Sequence, residues 1–292
     1  MNNIIKNSEL ENLFHPRFME FRCDYKAAKY VFNPFLFERE DAFIKGALKG
    51  PSAILKASHF IEKYNIPTDS KCYLSGFFTL EPTIAVSEEN LIEIVNKTVT
   101  IQISEGKIPV NLFADGSGSI GVFYGLSKIK KDVTILSLDA HLSLRETMGG
   151  TRNHRMTKMH HAKVCFENVL HFGVSSMGNC EKHKFDADKI FFAEDILEDK
   201  YWLEDVLIEL KEDVYITIDM SVFDPNLINS QDPDVSGITY KHIEKLLRAV
   251  IKEKNVIGID ICGFVPKEDT KAGEIIIAKM IYDILSHIDA RG

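Results

Sequence analysis

No apolar run in the chain approaches the roughly 20 residues that a membrane-spanning helix needs. The N-terminal stretch MNNIIKNSELENLFHPRF has no apolar core of signal-peptide length. Both absences lead us to expect a soluble, cytoplasmic protein with no membrane partner. There is no basic excess: 35 Lys and Arg are dispersed among 43 Asp and Glu, leaving a formal charge of −8. A polyanion therefore finds no electrostatic footprint, which excludes nucleic acid as the expected partner. Cysteine is sparse. Cys23, Cys72, Cys165, Cys180 and Cys262 are odd in number, widely scattered and never spaced as CxxC. Neither a disulfide framework nor a thiolate zinc site follows, and nearly all five are expected to be buried, reduced thiols. The chain also lacks repeats, low-complexity tracts and any Pro/Gly/Ser linker, so residues 1–292 are expected to form a single domain.

What is present is enough apolar sequence, 45% of 292 residues, to bury a large core. Short β-rich apolar runs alternate with longer amphipathic stretches, the pattern of βαβ units around a parallel sheet. Strands are predicted at Tyr30–Phe32, Cys72–Phe77, Val110–Phe113, Val133–Leu138, Val169–Val174, Ile190–Ala193, Val214–Ile218 and Val256–Ile261. Pro51 opens a helix at its first turn, where a missing N–H costs nothing. Thr239 caps another that turns Ile243, Leu246, Leu247 and Val250 inward, and a last helix runs from about Gly273 to His287. Leu142–His161 is long, polar and rich in Gly, Arg and His, and it directly follows a predicted strand. In an open parallel sheet such a segment lines the ligand crevice.

The chemistry-bearing residues gather at strand ends. In SLDAHLSLR, Asp139 and His141 are two apart on extended chain, so a carboxylate and an imidazole can converge on one ion. The blander alternative is a strand-end Asp capping backbone N–H groups beside a solvated His. In YITIDMSVFDPN, Asp219 ends a buried strand and must be paired, hydrogen-bonded or metal-bound, whereas Asp224 before Pro225 reads as a turn residue. In PVNLFADGSGSIG, a strand passes through Asp115 into a Gly/Ser turn and a helix starting near Ser117. This turn has neither the GxGxxG spacing nor a following Lys, which argues against a nucleotide loop. His160 and His161 read as a solvated helix end and His171 as a strand residue. The loop histidines His154, His160 and His161 are the reserve from which a reshaped loop would supply Asp139 with a new co-ligand.

Taken in order, these segments resemble the ureohydrolase (arginase/agmatinase/formiminoglutamase) family, with agmatinase-like members most similar. The family's GAxxGPxAIxxAS is matched by GALKGPSAILKAS at Gly46–Ser58. Its GGDHS is answered by Phe113–Ser117, its DAHxDxR by Asp139–Arg145, and its SxDxDxxDP by Thr217–Pro225, trailed by SGIT at Ser236–Thr239. Its DxxExxP is answered by Asp260–Pro266. The resemblance covers nearly the whole chain. It implies a three-layer αβα fold with a central, mainly parallel sheet. It also implies a pair of Mn2+ ions sharing a hydroxide that attacks an amidine or guanidinium carbon.

Carried over by position, the resemblance keeps Asp139 and Asp219 as bridging carboxylates, His141 as a terminal imidazole and His154 as a loop histidine that assists proton transfer. Gly116 stands where a histidine ligand is expected, Ser143 and Ser221 where aspartates are expected, and Gly263 where a glutamate faces the substrate. With half the donors missing, the expectation is at most one Mn2+ and a non-catalytic or very weakly active protein. Two other readings stay open at this stage. One is a one-metal hydrolase of a linear amidine; the other is a small-molecule binding module whose pocket is lined by Ser143, Ser221 and Gly116. The implied small-molecule partner is an amidine or guanidino compound. The implied assembly is a homo-oligomer, trimer or hexamer, or a pairing with an active homologue.

Overall fold

The computed structural model describes residues 16–198, 201–235 and 238–291. Most of the N-terminal stretch discussed above, and Ser236 and Gly237 of SGIT, lie outside the described residues.

The sheet comprises β1 (Tyr30–Leu36), β2 (Phe77–Thr79), β3 (Thr83–Ile84), β4 (Ile108–Phe113), β5 (Thr134–Leu138), β6 (Asn168–Val174), β7 (Ile190–Phe192), β8 (Asp213–Asp219) and β9 (Asn255–Cys262). Its order is β2-β1-β4-β9-β8-β5-β6-β7, with β3 also on β1, and every pairing between these strands is parallel. Successive side chains of a strand point to opposite faces. Accordingly, Val214, Ile216 and Ile218 of β8 join one core, while Tyr215 joins the other. The first core is roofed by α1 (Gly50–Ala57), α5 (Ala193–Glu198), α6 (Trp202–Glu209), α7 (Tyr240–Glu253) and α8 (Ala272–Arg291). The second is roofed by α2 (Glu88–Ser104), α3 (Gly118–Ile129) and α4 (Lys158–Cys165). The result is the three-layer αβα arrangement with a parallel sheet. Among the described residues no helix is long and apolar enough to cross a membrane.

Most predicted elements are present with wider bounds. Pro51 lies in the first turn of α1, Thr239 is the N-cap of α7, and Ile243, Leu246, Leu247 and Val250 are buried beneath α7. Three expectations are corrected. Cys72–Phe77 is not a strand: Cys72–Ser75 form a 3-10 turn, Gly76 breaks it at φ +87°, and only from Phe77 does the chain pair with β1. A Cβ at Gly76 would lie 2.9 Å from the Ala27 carbonyl oxygen, so the close approach of two backbones sets the strand's start. All five cysteines are free, but only Cys72 and Cys262 are buried, while Cys180 is exposed. His161 is not a solvated helix end. It is buried in α4 with Nδ1 2.6 Å from the Tyr124 hydroxyl and Nε2 2.9 Å from the Arg152 carbonyl oxygen, because α4 packs that face on α3.

Candidate functional site

The central strands β4, β9, β8 and β5 are neighbours, with Phe113 in register with Cys262, Cys262 with Asp219, and Ile218 with Leu138. Their carboxyl ends therefore place Gly116, Gly263, Asp219 and Asp139 side by side. This is the crevice of an open parallel sheet, where residues distant in sequence meet.

Between the two carboxylates sits a residue that motif reading did not single out. Lys158 Nζ lies 2.9 Å from Asp139 Oδ2 and 2.9 Å from Asp219 Oδ2, and Lys158 is 1% exposed. It is also 3.9 Å from Cys262 Sγ. The local chain explains its position. His154 caps a 3-10 turn at Arg155–Thr157 by accepting from Met156 N at 3.0 Å, and α4 begins at Lys158 itself. Residues three apart share a helical face, so Arg155 and Lys158 both point toward the strand ends. An ammonium at the N-terminus of a helix opposes the helix dipole. The two carboxylates offset that cost, since a buried charge persists only when paired.

Asp139 is engaged on both oxygens. Oδ1 accepts from Ser221 Oγ at 2.8 Å and His141 N at 2.9 Å, and Oδ2 pairs with Lys158 and accepts weakly from Ser143 Oγ at 3.4 Å. Burial alone would raise its pKa, but Lys158 and then His141 overturn that and hold the carboxyl below the ordinary range. Lys158 shows the reciprocal effect: burial opposes its charge, and Asp139 and Asp219 together keep it protonated well above its usual value. His141 lies along the other side of Asp139, with Nδ1 3.6 Å from Oδ1 and Nε2 3.8 Å from Asp234 Oδ2. Burial pulls its pKa down, yet the Asp139 hydrogen bond and charge raise it overall. Asp219 Oδ1 accepts from Ser221 N at 3.1 Å, and Cys262 Sγ donates to its Oδ2 at 3.3 Å.

The remaining sequence-identified positions fit poorly with a metal pair. A Cβ on Gly116 would meet Lys158 Nζ at 3.3 Å, Arg155 Cβ at 3.4 Å and Asp219 Oδ2 at 3.4 Å, so a side chain there would press on the ammonium and its carboxylate partner. Gly263 has φ +77°, and a Cβ on it would lie 3.1 Å from Asp219 Oδ1. A glutamate at that position would strain the backbone and crowd a like charge. Ser143 holds φ +55°, and the Ser143 and Ser221 hydroxyls are turned to Asp139. Among the described residues, no three His, Cys, Asp or Glu side chains converge as metal ligands would. The donor set does not fit a manganese pair.

A second charged group forms the wall beside this triad. Arg155 forms a bidentate pair with Asp232, through Nε to Oδ2 and Nη2 to Oδ1 (3.1 Å), and its Nη1 faces Asp115 Oδ2 at 3.5 Å and Asp41 Oδ1 at 3.6 Å. His154 is 1% exposed; its Nε2 points at Asp41 Oδ2, 3.6 Å away, and burial followed by the charges of Arg155 and Arg39 draws its pKa down to about 4. It is a neutral capping residue whose described contacts lie on the Asp41 side. His171 is a buried strand residue of β6, and Asp224 is a turn residue that accepts from Asn226 N at 2.8 Å. The missed residues, Lys158 and Arg155, belong to the polar segment Leu142–His161. The available signal was an excess of buried strand-end carboxylates, which demands a cation, combined with the three-residue spacing of these two.

Comparison with known proteins agrees with this architecture. The profile of the Arginase family matches residues 28–286. An N(1)-aminopropylagmatine ureohydrolase of Synechocystis sp. is 23% identical over 285 residues, covering 90% of each chain. An agmatinase of Halalkalibacterium halodurans is 26% identical over 279 residues, covering 92% of this chain and 95% of that one. Among solved structures, the agmatine ureohydrolase of Thermoplasma volcanium superposes with a TM-score of 0.85 at 23% identity over 97% of this chain and 98% of that one. The Trypanosoma cruzi formiminoglutamase with Mn2+ gives 0.83 at 16% identity over 95% and 99%. These two likenesses concern the fold.

Proposed function

The chain belongs to the arginase family, and on that premise we propose that it is a non-catalytic or very weakly active agmatinase-like member. The observation that carries this reading is the saturation of Asp139 by the chain's own groups. A carboxylate that accepts from a serine hydroxyl and a backbone N–H on one oxygen, and from an ammonium and, weakly, a second serine hydroxyl on the other, has all of its roughly four lone-pair positions engaged. Without bound metal, attack on a resonance-stabilised amidine carbon loses the nucleophile a metal pair supplies by lowering the pKa of bound water toward neutral. Nor does His154 replace it: Nδ1 is taken up by Met156 N and Nε2 faces Asp41, and a pKa drawn down to about 4 makes the imidazole a weak base.

The reading includes the protein's surroundings. Asp41, Asp232 and Asp234 are near the strand ends. Asp41 and Asp232 are paired with Arg39 and Arg155, whereas Asp234 faces the His141 ring, and its charge favours a cationic amidine or guanidino compound as ligand. A cytoplasmic homo-oligomer, trimer or hexamer, or a mixed assembly with an active homologue completes the proposal.

The test is urea release from agmatine and N(1)-aminopropylagmatine, the substrates in the names of the relatives, and ammonia or formamide release from a formimino compound. Each is assayed after incubation with excess Mn2+. We expect no turnover above buffer. Mn2+-dependent release that disappears in D139A would overturn the proposal.

A further inference from the structure

We propose that Lys158 is a tethered cation standing in for the metal centre, so that the folded protein's stability is independent of divalent ions and depends on this ammonium instead. The inference goes beyond the question of activity: it assigns what holds the strand ends together. It rests on three geometric facts. Nζ is equidistant, 2.9 Å, from one oxygen of each carboxylate, the placement of a shared cation. The four-carbon stem is buried, and both partners come from strands neighbouring in the sheet, β5 and β8. The departures from the family pattern are spatially coupled to it. Gly116 leaves the room into which Nζ projects, and Ser221 turns its hydroxyl to the Asp139 oxygen that Lys158 does not reach.

The charge balance follows from the same residues. Two carboxylates and one ammonium leave one negative charge, which the Ser221 hydroxyl, the His141 and Ser221 backbone N–H groups and the Cys262 thiol solvate by donating to Asp139 and Asp219. Two further carboxylates in place of Ser143 and Ser221 would leave three negative charges on one ammonium. A single lysine suffices only in a site from which those acids have gone.

The experiment is thermal unfolding of the full chain, with and without Mn2+ and with EDTA, for the wild type, K158M and K158M/D219N. Metal content is measured in parallel. For the wild type we expect the same melting temperature in all three conditions and no stoichiometric metal. For K158M we expect a fall of about 10 °C, since removing one partner strands a buried charge pair. For K158M/D219N we expect partial recovery, because one of the facing carboxylates is gone. If K158M is too unstable to purify, recovery of soluble protein in K158M/D219N supports the proposal, and failure to recover overturns it. A wild type stabilised by Mn2+ with bound metal would overturn this inference together with the proposed function. A metal-indifferent wild type with an unshifted K158M would overturn the inference alone and leave the inactive reading standing.

Discussion

Gly116 faces the Lys158 ammonium so closely that a Cβ there would stand 3.3 Å from its nitrogen, tighter than ordinary van der Waals contact. A histidine at position 116, the type the family resemblance expects there, would project its ring into the space the ammonium fills. We therefore expect G116H to destabilise the wild type by about 1–3 kcal/mol through overpacking. The penalty should be smaller in a K158A background. A double-mutant cycle from urea unfolding checks the coupling, and equal penalties in both backgrounds would show that the two positions do not compete.

Ser221 matters for Asp139 whether or not any reaction occurs. Its hydroxyl donates to a buried carboxylate oxygen at 2.8 Å. Removing it in S221A should cost about 1–3 kcal/mol, because the charged oxygen loses a donor that buried apolar surroundings cannot replace. S221D should cost more by adding a like charge beside Asp139. Urea denaturation midpoints at constant slope give the comparison, and S221D as stable as wild type would contradict it.

Beneath the site, Tyr215, Asp260 and Asn111 form a buried polar knot. Asn111 Nδ2 donates to the Tyr215 hydroxyl oxygen and to Asp260 Oδ1, each at 2.9 Å, and the Tyr215 hydroxyl donates to the same carboxylate oxygen. Asn33 and Gln102 extend the chain of bonds toward α2. Y215F keeps the ring volume and removes only the hydroxyl. A loss of about 1–3 kcal/mol is expected, and an unchanged unfolding free energy would remove this network from the account of stability.

Acid stability follows from buried histidines, His154 and His171 above all, acting against one carboxyl. Burial, then Lys163, draws His171 to a pKa of about 4, and burial, then Arg155 and Arg39, does the same for His154. In the unfolded chain each histidine takes a proton near 6.5. Between those values the unfolded state holds more protons, so this contribution is complete above about 6.5 and is lost as the pH falls toward 4. Asp260 has the opposite sign. Burial raises its carboxyl from 3.8 to about 6, so the folded state holds more protons in that window and stability from this group declines as the pH rises through it. His161, His242 and His287 are lowered by burial as well, so the histidines outweigh Asp260 and predict a net loss of stability from about pH 6.5 to 4. Unfolding at a series of pH values should show a flatter slope in H171Q and a steeper one in D260N. A slope unaltered by either substitution would sever the link.

Much of the architecture was legible because period and punctuation are local. Short β-rich apolar runs announced β4, β5, β6, β8 and β9, and Pro51 and Thr239 marked helix starts. The strand predicted at Cys72–Phe77 failed for a nonlocal reason, the approach of Gly76 to Ala27 and Ala28. His161 was read as solvated because its own helix carries little apolar pattern, while its actual partner, Tyr124, lies on α3. The candidate residues Asp139, His141 and Asp219 were found from their strand-end positions. Their partners were not, because partners are chosen by distance across the sheet.

The amino-acid sequence by itself determined the parallel αβα scaffold, the row of acidic strand ends, and the small side chains of Gly116, Ser143, Ser221 and Gly263 beside them. All of these are properties of short segments whose residue types and spacing act locally. Only the tertiary structure decided which cation answers the acids. Lys158 lies 61 residues from Asp219 in sequence, and it was selected from the basic residues of one polar segment by the cap at His154, the phase of α4 and the burial of its stem. A buried charge must find a partner, but which partner it finds depends on the packing of helix against sheet, and no local pattern in the sequence encodes that.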